Sequence, residues 1–339
     1  MTYSTRGLVA GLALTGAAAL TLTGCNGGSA NASGGGGKVK LSLVAYSTPQ
    51  AAYEKIIKAF QATPAGKNVE FQQSYGASGD QSRAVASGLA ADVVEFSLAP
   101  DMQRLVDAKI VAPAWDKNQY KGMVTDSVVV IATRKGNPKH IVDWPDLVKP
   151  GVEVITPNPF TSGGARWNLM AAYGGSLAEG DDENQADAYL GELLKHTPVQ
   201  DSSARDSLQT FTQGKGDALL SYENDAIFAQ QNNQAIDYTV PDNTILIENP
   251  VAVTETSEHP TEAKAFVDFL YSDTAQKIFS DNGYRPVVKS DETRDFPQPS
   301  GLFDITKFGG WDAVMTKFFD PDNGIVGKIE QGLGVPTSK

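Results

Sequence analysis

From residue 39 onward, short runs that alternate apolar and polar residues take turns with longer runs whose apolar residues recur every three or four positions. The first periodicity belongs to a strand and the second to a helix. Residues 39–47 read as a strand, and Tyr53, Ile56, Ile57 and Phe60 then mark one face of a helix. A strand over 69–75, a helix over 80–89 and a strand over 92–98 follow. Val128-Val129-Val130-Ile131 centres a β-rich run over 126–132. A strand over 152–155 leads into a helix from 165, on which Trp167, Met170, Ala171 and Gly174 share a spacing. Ala186, Tyr189, Leu190, Leu193 and Leu194 mark another helix. Short strands over 218–222 and 244–248 precede a mostly helical last third, with helices over 261–271, 274–280 and 311–319. Such alternation implies an α/β protein built on parallel sheets, and no internal repeat is visible.

A chain of 339 residues is long enough for two domains of ordinary size. Residues 125–136 are extended and β-branched, and Lys135-Gly136-Asn137-Pro138 then signals a loop, so this run reads as a crossover between domains. Two α/β domains joined by extended segments leave a cleft, where ligands usually sit. The net charge of −12 argues against nucleic acid and anionic membrane surfaces as partners. It also repels anions at long range, so any anion specificity has to be local.

Residues 1–24 read as an export signal, with Arg6 ahead of an apolar stretch too short and too rich in Gly and Ala for a permanent span. The stretch ends in Leu22-Thr23-Gly24-Cys25, which resembles the bacterial lipobox. Cys25 would be the lipidated N-terminus of the mature chain, anchored at the outer face of the cell membrane. The alternative is a plain secretory signal with a stray cysteine. Cys25 is the single cysteine, so no internal disulfide exists. The Gly- and Ser-rich residues 25–38 read as a flexible tether.

Three turns share one chemistry. Ser47, Ser78 and Ser162 each stand where a predicted strand ends and a helix begins. The third lies in Pro157-Asn158-Pro159-Phe160-Thr161-Ser162-Gly163-Gly164-Ala165-Arg166-Trp167, where glycines let backbone N–H groups crowd toward one point. A helix N-terminus attracts anions through its orphan donors and its dipole. Each serine taken singly is better read as an ordinary N-cap. Three together fall where open α/β sheets bind ligands, at the carboxyl ends of strands. Asp201-Ser202-Ser203-Ala204-Arg205-Asp206 is a fourth such segment, and the strand over 218–222 ends in Tyr222.

Ser74-Tyr75-Gly76-Ala77-Ser78-Gly79-Asp80-Gln81-Ser82-Arg83-Ala84-Val85 resembles a signature of the periplasmic sulfate/thiosulfate-binding proteins. So do Arg134-Lys135-Gly136-Asn137-Pro138-Lys139, Asp143-Trp144-Pro145-Asp146-Leu147, Tyr284-Arg285-Pro286-Val287, Phe308-Gly309-Gly310-Trp311 and, above all, 154–168. The resemblance covers residues 40 to about 330. It implies a two-lobed periplasmic-binding-protein fold of type II, each lobe a mixed, mostly parallel sheet flanked by helices. Lobe I would comprise 39–124 plus 251–339 and lobe II 125–250. It further implies that dehydrated sulfate is held between the lobes by uncharged donors. These would be the backbone N–H groups of Ser47, Ser78, Gly163, Gly164 and Ala204, the hydroxyl of Ser162, and the phenol of Tyr222 where the family usually has a tryptophan. Ser47 replaces the family's usual aspartate.

Tyr222 is the departure that bears on selectivity, because a phenol donates as an indole does but also accepts. A pocket of donors alone leaves the proton of phosphate unpaired, whereas sulfate carries none. Donation by Tyr222 to the anion is expected. Arg166 beside the glycines is expected to hold the loop or the other domain rather than the ligand. The implied role is a monomeric lipoprotein that delivers sulfate to the permease and ATPase of an ABC importer, with no cofactor. Thiosulfate, molybdate or phosphate is the alternative ligand. A serine hydrolase is remote: Ser162 lacks the G-x-S-x-G elbow, and His140, His196 and His259 read as surface residues. No metal-ligand spacing is present, and Asp320-Pro321-Asp322-Asn323-Gly324 lacks the closing glutamate of a calcium loop.

Overall fold

In the computed structural model, which describes residues 37–337, strand formation starts where the alternation starts. β1 (Val39–Tyr46) buries Leu41, Leu43 and Ala45. The other strands are β2 (Val69–Gly76), β3 (Val93–Glu95), β4 (Met123–Arg134), β5 (Val154–Ile155), β6 (Ala218–Tyr222), β7 (Ile236–Thr239), β8 (Leu246–Val253) and β9 (Arg285–Pro286). They form one nine-stranded sheet in the order β2-β1-β3-β8-β4-β6-β5, with β7 and β9 also paired to β4. The expected signal over 1–24, Cys25 and most of the tether lie outside the described residues.

The flanking helices are α1 (Gln50–Gln61), α2 (Ser78–Ala86), α3 (Ala99–Asp107), α4 (Gly163–Ala178), α5 (Glu183–Lys195), α6 (Ala204–Thr212), α7 (Glu223–Gln231), α8 (Pro260–Leu270), α9 (Asp273–Asp281), α10 (Gly310–Lys317) and α11 (Ile325–Leu333). No helix among the described residues is long and apolar enough to cross a membrane.

The sheet is mixed, but it departs from the expected mostly parallel character. Pairing is parallel between β1 and β2, β1 and β3, and β5 and β6, whereas every ladder involving β4 or β8 is antiparallel. The reason is the two long strands. The first part of β4 pairs with β8 and β9, and from Val129 it pairs with β6 and β7. β8 runs the opposite way and switches from β4 to β3 between Pro250 and Val251. One strand leads out of the first group of parallel strands and the other returns to it.

β4 is buried on both faces, as a continuous apolar run requires. Val129 and Ile131 enter one core cluster, while Val128, Val130 and Ala132 enter another. Burying each such valine contributes about 1.5–3 kcal/mol. α4 is buried on all faces along most of its length. It packs so closely that a Cβ on Gly174 or Gly175 would fall 2.2 Å from the Phe303 ring or 2.1 Å from the Trp144 ring. On the far side of the sheet order, α1 presents Tyr53 and Phe60 to Phe279 and Phe266, with ring centroids 5.7 and 5.2 Å apart.

Glu95 in β3 is fully buried in that region, where the Tyr53 hydroxyl donates to its Oε2 and its Oε1 has no partner. Burial pushes its carboxyl from the ordinary 4.5 up to about 8, although the Tyr53 bond opposes this. Between those values the native state holds a proton that the unfolded chain has lost. The stabilisation is therefore complete below about pH 4.5 and disappears as pH rises toward 8. Glu95→Gln, which keeps an acceptor for Tyr53, should gain stability relative to the parent as pH rises through this window. Urea unfolding at pH 5 and pH 8 reads the difference, and an equal difference at both would remove Glu95 from the pH dependence.

Candidate functional site

β1 and β2 are parallel neighbours with Tyr46 opposite Gly76, so Ser47 and Ala77-Ser78 leave the sheet side by side at its carboxyl edge. β5 and β6 are likewise parallel neighbours. The loop after β5 carries Thr161 and Ser162 into α4, and β6 ends at Tyr222 as α7 begins. Residues 200–203 lead into α6, which starts at Ala204.

These two groups of strand ends meet. The Gly79 N–H donates to the Thr161 carbonyl at 3.0 Å, and Arg83 Nη2 donates to the Phe160 carbonyl at 3.2 Å. The Arg205 N–H reaches Ser47 Oγ at 3.4 Å, and its Nη2 donates to the Thr48 carbonyl at 2.9 Å. The hydroxyls of Tyr222 and Ser97 lie 2.5 Å apart. A Cβ on Gly164 would sit 3.4 Å from both Ser162 Oγ and Tyr222 Cε1 and 3.7 Å from the Ala204 Cβ. Ser162, Gly164, Ala204 and Tyr222 thus gather at one point. Gly163 faces Ser97, 2.8 Å from where its own Cβ would be.

The capping alternative fails for the three serines singled out. Ser162 occupies the N-cap of α4 without a side-chain cap bond. Pro49, not Ser47, is the N-cap of α1. Ser78 lies inside the first turn of α2, where its hydroxyl donates to Asp101 Oδ2 at 2.6 Å and accepts from the Ser97 N–H at 3.0 Å. Ser203, in the fourth segment, does cap in the usual way, accepting from the Asp206 N–H. The first-turn N–H groups of α4 have no intrahelical acceptors, and no acidic side chain stands in that turn to take them.

The cationic side chains nearby have other partners. Arg166 is buried, which lowers its guanidinium to about 10 and leaves it charged at neutral pH. Its Nε donates to the Pro159 carbonyl at 2.8 Å and its Nη1 approaches Met315 Sδ at 3.4 Å, so it holds its own loop, as expected. Arg205 was not singled out from the sequence. It bridges the two groups of strand ends, pairs with the buried Asp225 at 3.3 Å and stacks 4.0 Å over Phe228. Its Nη1 is buried without a partner. Burial pushes the Tyr222 phenol well above its ordinary value, so it stays neutral with its proton available.

An open cleft of about 450 Å³ lies at this junction, lined by Ser47, Ala77, Gln81, Ser203, Arg205 and Asp206 among others. Ser162 and Tyr222 are buried and do not line it. None of the three histidines lines it either, and His196 Nδ1 is 2.8 Å from the Val152 carbonyl oxygen. Among the described residues no group of three His, Cys, Asp or Glu side chains is placed to hold a metal.

Asn158 and Ser97 were also missed. Asn158 Oδ1 accepts from the Phe160 N–H at 2.7 Å, its carbonyl accepts from the Thr161 and Ser162 N–H groups, and its own N–H donates to Asp201. One residue therefore ties the 158–162 loop to the 201–204 loop. Its place between two prolines was the available signal, since Asn in a turn bonds its own backbone two residues on. Ser97, whose carbonyl accepts from Trp167 Nε1 at 2.8 Å and Asn249 Nδ2 at 3.1 Å, gave no such signal.

A family profile described as bacterial extracellular solute-binding protein matches residues 41–285. The chain is 41% identical to a sulfate-binding protein of Synechococcus elongatus, over 98% of both chains. It is 34% identical to a thiosulfate-binding protein of Pseudomonas aeruginosa, over 84% of this chain and 90% of that one. Among solved structures, the sulfate-binding protein SubI from Mycobacterium tuberculosis H37Rv is similar with a TM-score of 0.80 and 42% identity, over 83% of this chain and all of the other.

Asn158→Ala should destabilise the protein by about 1–3 kcal/mol, because it leaves the buried Phe160 N–H unpaired. A lower urea midpoint with an unchanged slope checks this. An unchanged midpoint would mean that the loop is held without Asn158.

Proposed function

We propose that this chain, which belongs to the bacterial extracellular solute-binding proteins and within them to the sulfate-binding protein family, captures sulfate outside the cytoplasm and passes it to an ABC-type importer. Five peptide N–H groups, from Ser47, Ser78, Gly163, Gly164 and Ala204, would hold the anion together with the hydroxyls of Ser162 and Tyr222. The observation that carries this reading is the gathering of Ser162, Gly164, Ala204 and Tyr222 at one point, with a Ser162 side chain that caps nothing. Lobe I (39–124 and 251–339) and lobe II (125–250) would close on the ligand by bending where β4 and β8 pass between them. A lipid on Cys25 and the tether behind it would keep the body at the outer face of the membrane. No catalytic step is part of this role.

Neutral donors are enough for a dianion. A hydrogen bond to a charged group contributes about 1.5–3 kcal/mol, helix dipoles add to it, and no second ion has to be dehydrated. The Tyr222–Ser97 contact fits the same logic. When the Ser97 hydroxyl donates to Tyr222, the phenol proton is free for the anion, and the site offers donors only. Thiosulfate is the second reading, favoured by the similarity to a thiosulfate-binding protein. Like sulfate it carries no proton at neutral pH.

Isothermal titration of protein lacking its lipid should show tight sulfate binding and far weaker phosphate binding at neutral pH. Ser162→Ala should weaken sulfate by about 1.5–3 kcal/mol. Comparable affinities for phosphate and sulfate would overturn the donor-only site, and an undiminished Ser162→Ala would place the anion elsewhere.

A further inference from the structure

After β9 the chain runs through residues 287–302 around a cavity of about 410 Å³ that shares no lining residue with the cleft described above. Arg285, Lys289 and Arg294 line it, together with Ser290, Phe296 and the carboxylates Asp126 and Asp295. Arg285 is locked in place: its Nε donates to Glu223 at 2.8 Å and its Nη2 to the Pro297 carbonyl at 2.9 Å. The Arg285 and Arg294 guanidinium carbons lie 5.4 and 5.3 Å from the centroid of the Phe296 ring, which fixes the wall between them.

The other two cations lack a carboxylate partner among the described residues, although Arg294 lies against the Phe296 ring. Among the described residues neither Lys289 nor Arg294 forms an ion pair, in a chain whose net charge is −12. Ser290 Oγ is buried with no hydrogen-bond partner. Asp126 faces Glu248 across the β4–β8 ladder, and burial together with that neighbour pushes its carboxyl up to about 7. It is thus a weak counter-ion for Lys289.

The geometry points to a second anion site here, built on the Lys289 and Arg294 side chains with the Ser290 hydroxyl as a further donor, for a small multivalent anion such as inorganic phosphate or a short dicarboxylate. Cationic side chains differ from a cage of peptide donors in one decisive respect. They neutralise charge without requiring that the ligand lack a proton, and Arg matches a planar carboxylate or a phosphate edge in two-point fashion. Phosphate, which the proposed sulfate site would reject, is therefore an acceptable ligand for this one. Part of its attraction is exposed to solvent, so binding weakens with salt.

The test uses protein carrying one equivalent of sulfate, at low ionic strength, titrated with inorganic phosphate and separately with succinate, with binding read by calorimetry and by amide chemical shifts. Saturable binding of either anion is expected, shifting the amides of 287–298. Lys289→Ala with Arg294→Ala should weaken it at least about tenfold, while the sulfate affinity and melting temperature of that variant match the parent. Phosphate without succinate would identify an oxyanion site, and succinate without phosphate a dicarboxylate site. No saturable binding of either in the millimolar range, or binding undiminished in the double variant, would overturn the proposal. The sulfate titration of the same samples is a separate readout, so failure of the sulfate reading would show there alone.

Discussion

The structure depends on a cost that every helix carries. Its first N–H groups have no acceptor within the helix, and burying them unpaired is unfavourable. Three of the eleven α-helices among the described residues solve this with their own side chains: Asp182, Ser203 and Ser272 cap α5, α6 and α9. α4 does not. Its N-cap serine leaves the N–H groups alone, and two glycines follow with no side chain to cover them. α2 begins after Ala77, also without a side-chain cap. The chain leaves helix starts without side-chain caps where its two groups of strand ends meet, and in the proposed role an anion would supply the missing acceptors.

Holding such donors in place needs a stiff surround, and much of the polar interior serves that end. Asn158 folds the glycine loop onto itself and ties it to the loop before α6. Asp101 takes the Ser78 hydroxyl and the Arg104 guanidinium, so that serine cannot turn back to cap its own helix. Arg166 and Arg205 lie close to the site, but their guanidinium groups grip carbonyl oxygens of the loops. Positive charge thus shapes the walls, and in the proposed site neutral groups would face the ligand. The cavity beside β9 reverses the arrangement, with Lys289 and Arg294 lining it outside any ion pair among the described residues and Arg285 held by Glu223 and the Pro297 carbonyl.

Much of this was legible beforehand. The periodic runs located β1, β2, β4, α1, α4, α5 and α8 to within a few residues, because their apolar residues are the ones that enter the core. α3, α7 and α11 escaped. α7 is short, carries Glu223, Asn224 and Asp225 in its first turn and buries all three, so its pattern reads as a polar loop. The parallel character was overestimated, since alternation of strand and helix says nothing about β4 and β8, which pass between strand groups without a helix between their partners. Of the polar residues that position the site, Asn158 had a turn signal, while Ser97 and Arg205 are ordinary residues whose roles arise only from what stands opposite.

The order of elements, the buried run at the centre of β4 and the serine- and glycine-rich corners at strand ends are properties of the sequence alone, because each rests on neighbours a few residues apart. Whether those corners converge is not local. It required β4 and β8 to bring Tyr46 and Tyr222, far apart along the chain, to 6.3 Å between ring centroids. The tertiary structure also decided that three serines, each suited to capping, cap nothing. A hydroxyl bonds to the nearest well-oriented partner, and only packing determines whether that partner is its own helix, a neighbouring carboxylate, or a ligand still to come.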